Sequence, residues 1–281
     1  MMRMPLLRAE LYKIFKKPRT YISFGVIAAV TLVIQLAMYA NGQSFVDFVL
    51  QGIQEQFDVS GKILNGYLIT YIILNLLLVH VPLLVALVAG DALAGEAASG
   101  TLRLMLTRPI SRTRLVWTKF CANSIYALLL LIWLAIIGLG LSLILFGAGD
   151  MIHLTGDRLI MLLRDDVLWR YFGAFGFAAL SLITIGALAL FLSALSSNAI
   201  GPIVSTMGVI ILMTVMTNLE LPIFLAIKPY LFTTHMVAWK GFFLQPPPYA
   251  AMWQSALVLL AYIVALVGAT IYIFNKKDIQ T

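Results

Sequence analysis

Six apolar runs divide the chain: residues 20–40, 67–93, 120–146, 171–195, 199–217 and 251–274. A hydrocarbon core about 30 Å thick is crossed by about 20 helical residues, so each run predicts a membrane span. Ahead of the first, Leu6, Leu7, Leu11, Ile14 and Phe15 recur at helical spacing, with Arg3, Arg8, Lys13, Lys16 and Lys17 between them. That pattern predicts an interfacial helix over 1–19, basic face outward in the headgroup plane, ended by Lys17-Pro18. Residues 41–66 are polar with Phe45, Phe48, Val49, Ile53 and Phe57 spaced for an amphipathic helix. Residues 147–170 read as a polar loop carrying Asp150, Asp157, Asp165, Asp166, Arg158 and Arg164. Residues 218–250 are half apolar and half Pro-rich, ending in Pro246-Pro247-Pro248, and predict one or two short helices on or dipping into the outer leaflet. With no internal repeat and no soluble linker, the pattern predicts one all-α polytopic transmembrane domain over 1–281.

Composition agrees: 62% of residues are hydrophobic and 11% charged, against roughly 25% charged in soluble domains. The basic lead is long, and the first run is full spanning length with no A-x-A site after it, so it reads as a retained segment and not a cleaved signal. The net charge of +7 has its meaning in where the cations lie. Of the 19 Lys and Arg, 13 fall on the side shared by the N-terminal segment, the 94–119 segment and the tail. The positive-inside rule makes that side cytoplasmic, with both termini there, in a cell membrane. A nucleic-acid partner is not indicated. The single cysteine, Cys121, makes no internal disulfide.

The chemistry concentrates in Gly90–Lys119, a polar stretch between the second and third runs. It holds Asp91, Glu96, Arg103, Arg108, Arg112, Arg114 and Lys119. Ser99-Gly100-Thr101 interrupts it and Arg108-Pro109 stops any helix begun after the interruption. A short amphipathic helix, a Pro break and entry into the third span follow. Such an element lies at the membrane surface and suits a soluble partner. ATP work needs a P-loop, G-x-x-x-x-G-K-[ST], whose backbone N–H groups cradle phosphates. The chain has no such string.

An acid ahead of Gly-Thr-Leu, a short helix, Pro-x-Ser-Arg and a Lys entering the third span stand here as Glu96, Gly100-Thr101-Leu102, Pro109-Ile110-Ser111-Arg112 and Lys119. This order resembles the signature of ABC-2-type permeases, the membrane subunits of ATP-binding-cassette exporters. The resemblance implies a coupling helix within 94–119 that docks in a cleft of a cytosolic ATPase, with Glu96, Gly100, Thr101, Leu102, Arg103, Arg108, Pro109, Ser111, Arg112 and Lys119 as partner-coupling residues. It implies an elbow helix at 1–17 and no cofactor in this chain, with ATP and Mg held by the partner. It also implies an ATPase dimer, a second permease copy or a similar permease, and room for an extracytoplasmic accessory protein. The function expected is export, or mechanical work on a bound partner, driven by that ATPase; the chain itself is not an enzyme. The alternative is an ion-gradient-driven secondary carrier, which calls for inverted repeats and broken helices.

Polar residues inside spans are costly and mark function by default. Asn75 and His80 in the second span, and Thr206, Thr214 and Thr217 in the fifth, are the candidates for lining a path, the threonines by family analogy. The competing reading for Asn75 and His80 is interhelical hydrogen bonding. His80, His153 and His235 with twelve methionines raise a metal-export idea, but no Cys-x-x-Cys or His-x-x-x-His spacing supports it, and no metal site is expected. The acids of 147–170 sit in a loop too short to enclose a hydrolase site.

Overall fold

The computed structural model describes residues 4–54, 63–106, 110–155, 158–219 and 221–277. Twelve α-helices and one hairpin follow in order among them. The first two helices are α1 (Met4–Lys16) and α2 (Pro18–Gln54), the latter kinked at Asn41. Next come α3 (Gly66–Ala89), α4 (Asp91–Ala98) and α5 (Thr101–Leu106). Helix α6 (Arg112–Leu134) continues through a π turn (Ala135–Gly140) into α7 (Leu141–Phe146). Strands β1 (Met151–Thr155) and β2 (Arg158–Leu162) lead into α8 (Arg164–Leu195) and α9 (Ile200–Asn218). Short pieces α10 (Pro222–Ile227) and α11 (Phe232–Met236), each followed by a 3-10 turn, precede α12 (Tyr249–Lys276). Six of these helical stretches are long and apolar enough to cross a membrane. The protein is an all-α, multi-pass membrane protein.

Helix α8 is the central post. In its most apolar window 67% of residues are buried, against 17% in α9 and 22% in α12, and it packs on α3, α6, α9 and α12. Where α3 begins, Gly66 sits against the α7 backbone: a Cβ there would lie 2.6 Å from the Ser142 carbonyl oxygen. Only glycine permits that approach, and it closes the end of the bundle that also carries the hairpin. Tyr171 of α8 locks the same end, donating its hydroxyl to the Tyr67 carbonyl at 2.5 Å.

The π turn leaves backbone carbonyls without their regular helical donors. Gln35 of α2 donates to Ile137 O at 2.8 Å and to Ser142 Oγ at 2.9 Å, and Thr70 of α3 donates to Gly138 O at 3.2 Å. Buried polar side chains of two neighbouring spans thereby satisfy the irregular segment, as an apolar surrounding requires.

Four expectations change. The span expected to start at residue 120 starts at Arg112, so Lys119 is two turns inside a helix. The loop expected over 147–170 holds an antiparallel hairpin pairing Met151 with Leu162 and His153 with Ile160. Its buried face carries Met151, His153 and Leu162, a period-2 pattern that the flanking aspartates obscure. The basic face of α1 does not simply point outward. Glu10 and Lys13 share one face, three residues apart, and together with Lys17, just past the end of α1, they contact α4 and α6. The amphipathic stretch expected after the first span continues α2 to Gln54, and residues 55–62 lie outside the described residues.

Candidate functional site

Two polar sites lie at opposite ends of the bundle. The first is a cluster of ion pairs where α1 meets α4 and α6. Lys119 Nζ lies 2.9 Å from Glu10 Oε2 and 2.8 Å from Glu96 Oε2. Lys13 Nζ closes the ring from the solvent side, 2.7 Å from both Glu10 Oε1 and Glu96 Oε1. Asp91 is held separately by Lys17 at 2.6 Å and by the Arg19 guanidinium. Lys119 is 2% exposed and Glu10 and Asp91 5% each, so the charges are removed from water. The Glu96 Oε2 contact falls outside hydrogen-bond angles. At 2.8 Å the Coulomb attraction does not need a linear N–H, and the contact is an ion pair.

Electrostatics show which force wins here. Burial alone would push the Glu10 carboxyl up, but the Lys119 and Lys13 ammonium groups more than offset it and hold Glu10 below its ordinary value. Burial would pull Lys13 down, and its hydrogen bonds to Glu10 and Glu96 carry it above its ordinary value. A buried ion pair contributes little net stability compared with apolar packing, but breaking one side of it is costly. The cluster therefore ties α1 to α4 and α6 in one register. A cavity of about 40 Å³ opens beside it, with Asn123 and Arg19 in its wall. The Asn123 Nδ2 and Arg19 Nε atoms are buried there without a hydrogen-bond partner.

Apolar packing fixes the rest of this end. Leu93, Leu102, Leu115, Val116, Leu190 and Phe274 form a second core that seats α4 and α5 on α6, α8 and α12. Ser193 of α8 accepts from the backbone N–H groups of Leu93 and Ala94 at 3.0 and 2.9 Å, satisfying open donors in the first turn of α4. Between α4 and α5, Gly100 has φ +70°, a left-handed conformation that favours glycine. Ser99, Gly100 and Thr101 form an exposed tip, with Thr101 Oγ1 donating to the Glu96 carbonyl at 3.3 Å.

The expected coupling residues thus divide. Gly100 and Thr101 are at the exposed tip; Leu102 is in the core; Glu96 and Lys119 are in the ion-pair cluster. Ser111 caps α6, accepting from the Arg114 N–H at 3.3 Å. Arg112 donates to the Phe274, Asn275 and Lys277 carbonyls at 3.1, 3.1 and 2.8 Å, capping the C-terminus of α12. Arg108, Pro109 and the Arg103 side chain lie outside the described residues. Sequence reasoning had not singled out Glu10, although it is the one acid before residue 47 in a basic lead. That isolation is a signal for a salt-bridged role.

The second site is a cavity of about 200 Å³ at the hairpin end, between α3, α9 and the α11 region. Asn75, Thr214 and Thr217, expected on a path, meet there, together with Trp239 and Lys240. His80 and Thr206 do not. His80 is exposed and its Nδ1 contacts the Leu76 carbonyl at 2.7 Å. Thr206 is buried and donates to the Pro202 carbonyl at 2.6 Å. Behind the cavity, His153 packs on Tyr71 with ring centroids 4.8 Å apart. Both of its ring nitrogens are buried without a hydrogen-bond partner. Burial, with Arg170 nearby, pushes its pKa down to about 4. Among the described residues no three His, Cys, Asp or Glu side chains converge as a metal site.

A family model for a protein of unknown function, DUF2705, matches residues 25–280. The chain belongs to the DUF2705 family. In this DUF2705 chain the match begins inside α2 and takes in both sites except for the residues contributed by α1 and the start of α2. No curated protein matches the chain.

Proposed function

We propose that the chain is the permease subunit of an ABC exporter, with its ATPase on a separate chain and the basic end facing the cytoplasm. The observation that carries the reading is the construction of the α4–α5 element. Its tip, Ser99–Thr101, is exposed, whereas its base is seated by Leu93 and Leu102 and tied by the ion pairs of Glu96 to α1 and α6. An exposed tip on a locked base transmits displacement to the spans without any catalytic group. The motif resemblance supports the same reading. The carrier alternative calls for backbone groups open to an ion at the membrane midplane. The π-turn carbonyls that accept from Gln35 and Thr70 already have donors.

The test is purification of the tagged protein in mild detergent and in lipid discs, with mass spectrometry and an ATPase assay on the eluate. A stoichiometric P-loop ATPase is expected to follow the wild type. Ser99→Trp with Thr101→Trp, both at exposed positions, should abolish its recovery and leave the permease folded. Recovery of the chain alone under every condition would refute the reading.

A further inference from the structure

The polar side chains of the hairpin-end cavity gather toward one end of the helix axes, beside Met236, Val237 and Trp239, and its deeper part is apolar. Helix α3 runs from the hairpin end inward and α9 runs outward, so Asn75, Thr214, Thr217 and Asn218 lie toward the hairpin end and Pro82 and Ile210 lie deeper. From Asn75 to Pro82 is about 10 Å at 1.5 Å per residue. Thr233 and Lys240 complete the polar end, and Leu78 and Val79 line the deeper part. Lys240 is the one charged side chain in the wall. It lies 5.8 Å from the Trp239 ring centroid and has no carboxylate partner among the described residues. Asn75 and Asn218 donate their Nδ2 groups to carbonyls of their own helices, Tyr71 O at 2.9 Å and Thr214 O at 2.7 Å. Their Oδ1 atoms remain as acceptors for a ligand.

We propose that this cavity binds an anionic amphiphile, its charged head against Lys240, hydroxyl groups of the head donating to Asn75 and Asn218, and its acyl chain along Leu78, Val79, Pro82 and Ile210. The charge pattern selects the head. A lone cation with no acid beside it is neutralised by a single anion, whereas the ammonium of a zwitterionic head would find no carboxylate in the wall. The apolar depth selects the chain, because a free inorganic anion would leave that surface unfilled. As the exporter's cargo site the cavity rests on the permease reading. As a binding site it does not.

The test is native mass spectrometry of the full-length protein in detergent, titrated with phosphatidylglycerol, phosphatidylcholine and inorganic phosphate, with no ATPase present. Phosphatidylglycerol should bind at least about tenfold more tightly than phosphatidylcholine, a difference of about 1.4 kcal/mol. Inorganic phosphate should not displace it. Lys240→Gln should remove that preference, Lys240→Arg should keep it, and Lys228→Gln, outside the cavity, should not alter it. Thr214→Phe, which fills the cavity, should weaken both lipids. Equal affinity for the two lipids, an unchanged preference in Lys240→Gln, or displacement by phosphate would each overturn the proposal. These outcomes are independent of ATPase co-purification, so failure here and failure of the permease reading are distinguishable.

Discussion

Replacing Lys119 with Met isolates the contribution of the buried cluster. Methionine keeps the apolar stem of a side chain that is 1% exposed and removes the ammonium contacting Glu10 and Glu96 at 2.9 and 2.8 Å. Two carboxylates then share Lys13, which is 41% exposed. Breaking a buried pair typically costs 3–5 kcal/mol, and because Lys13 remains we take the lower part of that range, about 3 kcal/mol. Removing the opposing charges as well, in Lys119→Met/Glu10→Gln/Glu96→Gln, should recover all but about 1 kcal/mol, because neutral groups need no counter-ion. The pH dependence has a definite sign. In the wild type Glu10 lies below its ordinary value, so its contribution is present above about pH 4.5 and is lost as pH falls through the folded value. Without Lys119, burial dominates and the Glu10 carboxyl moves up, so protonation relieves the variant as pH falls from 7.5 to 5. Reversible unfolding by SDS in mixed micelles, followed by circular dichroism, measures each variant against wild type at both pH values. A Lys119→Met defect under about 1 kcal/mol, a triple variant worse than the single, or a defect independent of pH would refute the reasoning.

His153 is held neutral with a pKa near 4 against an ordinary 6.5. The folded state binds fewer protons than the unfolded one, so stability should fall as pH drops from 6.5 toward 4, by up to about 3 kcal/mol. His153→Phe should flatten that part of the stability–pH curve, measured by the same titration. Arg112→Gln removes a charged cap from three C-terminal carbonyls of α12. A loss of about 1–2 kcal/mol should appear as faster hydrogen exchange over 273–277 with 251–265 unchanged. Gln35→Leu strips the donor from Ile137 O and the partner from Ser142. It should cost about 1–2 kcal/mol and raise hydrogen exchange around the π turn, with the rest of the third span unaffected.

The spans were legible because a membrane-crossing helix announces itself by length and apolarity alone. Residues 199–217 lie within one residue of α9 at each end. Elements whose stability comes from neighbours were not legible in the same way. The hairpin's short strands alternate Met151 and His153 inward, a signal too brief to stand out beside aspartates. The π turn cannot be read from AIIGLG, since it depends on Gln35 and Thr70 approaching from other helices. The start of the third span shifted to Arg112 because Arg112 and Ser111 are spent on helix capping, which hydropathy scores as exposure.

The site was legible by composition and not by arrangement. Glu96 and Lys119 could be singled out by motif, and Asn75, Thr214 and Thr217 by polarity within spans. What each does is decided by residues far away in sequence. Glu10 and Lys13 lie 109 and 83 positions from the partners they contact, Lys119 and Glu96. Lys240, which gives the hairpin-end cavity its charge, comes from a 3-10 segment with no membrane-span signal. The same spatial logic explains why His80 and Thr206, polar within spans, fall outside the cavity. His80 is turned out of the bundle, and Thr206 is fully buried away from the cavity wall. Polarity in a span therefore identifies a group that needs a partner. Only the packing of α3 against α9 and the α11 region decides whether that partner can be a ligand.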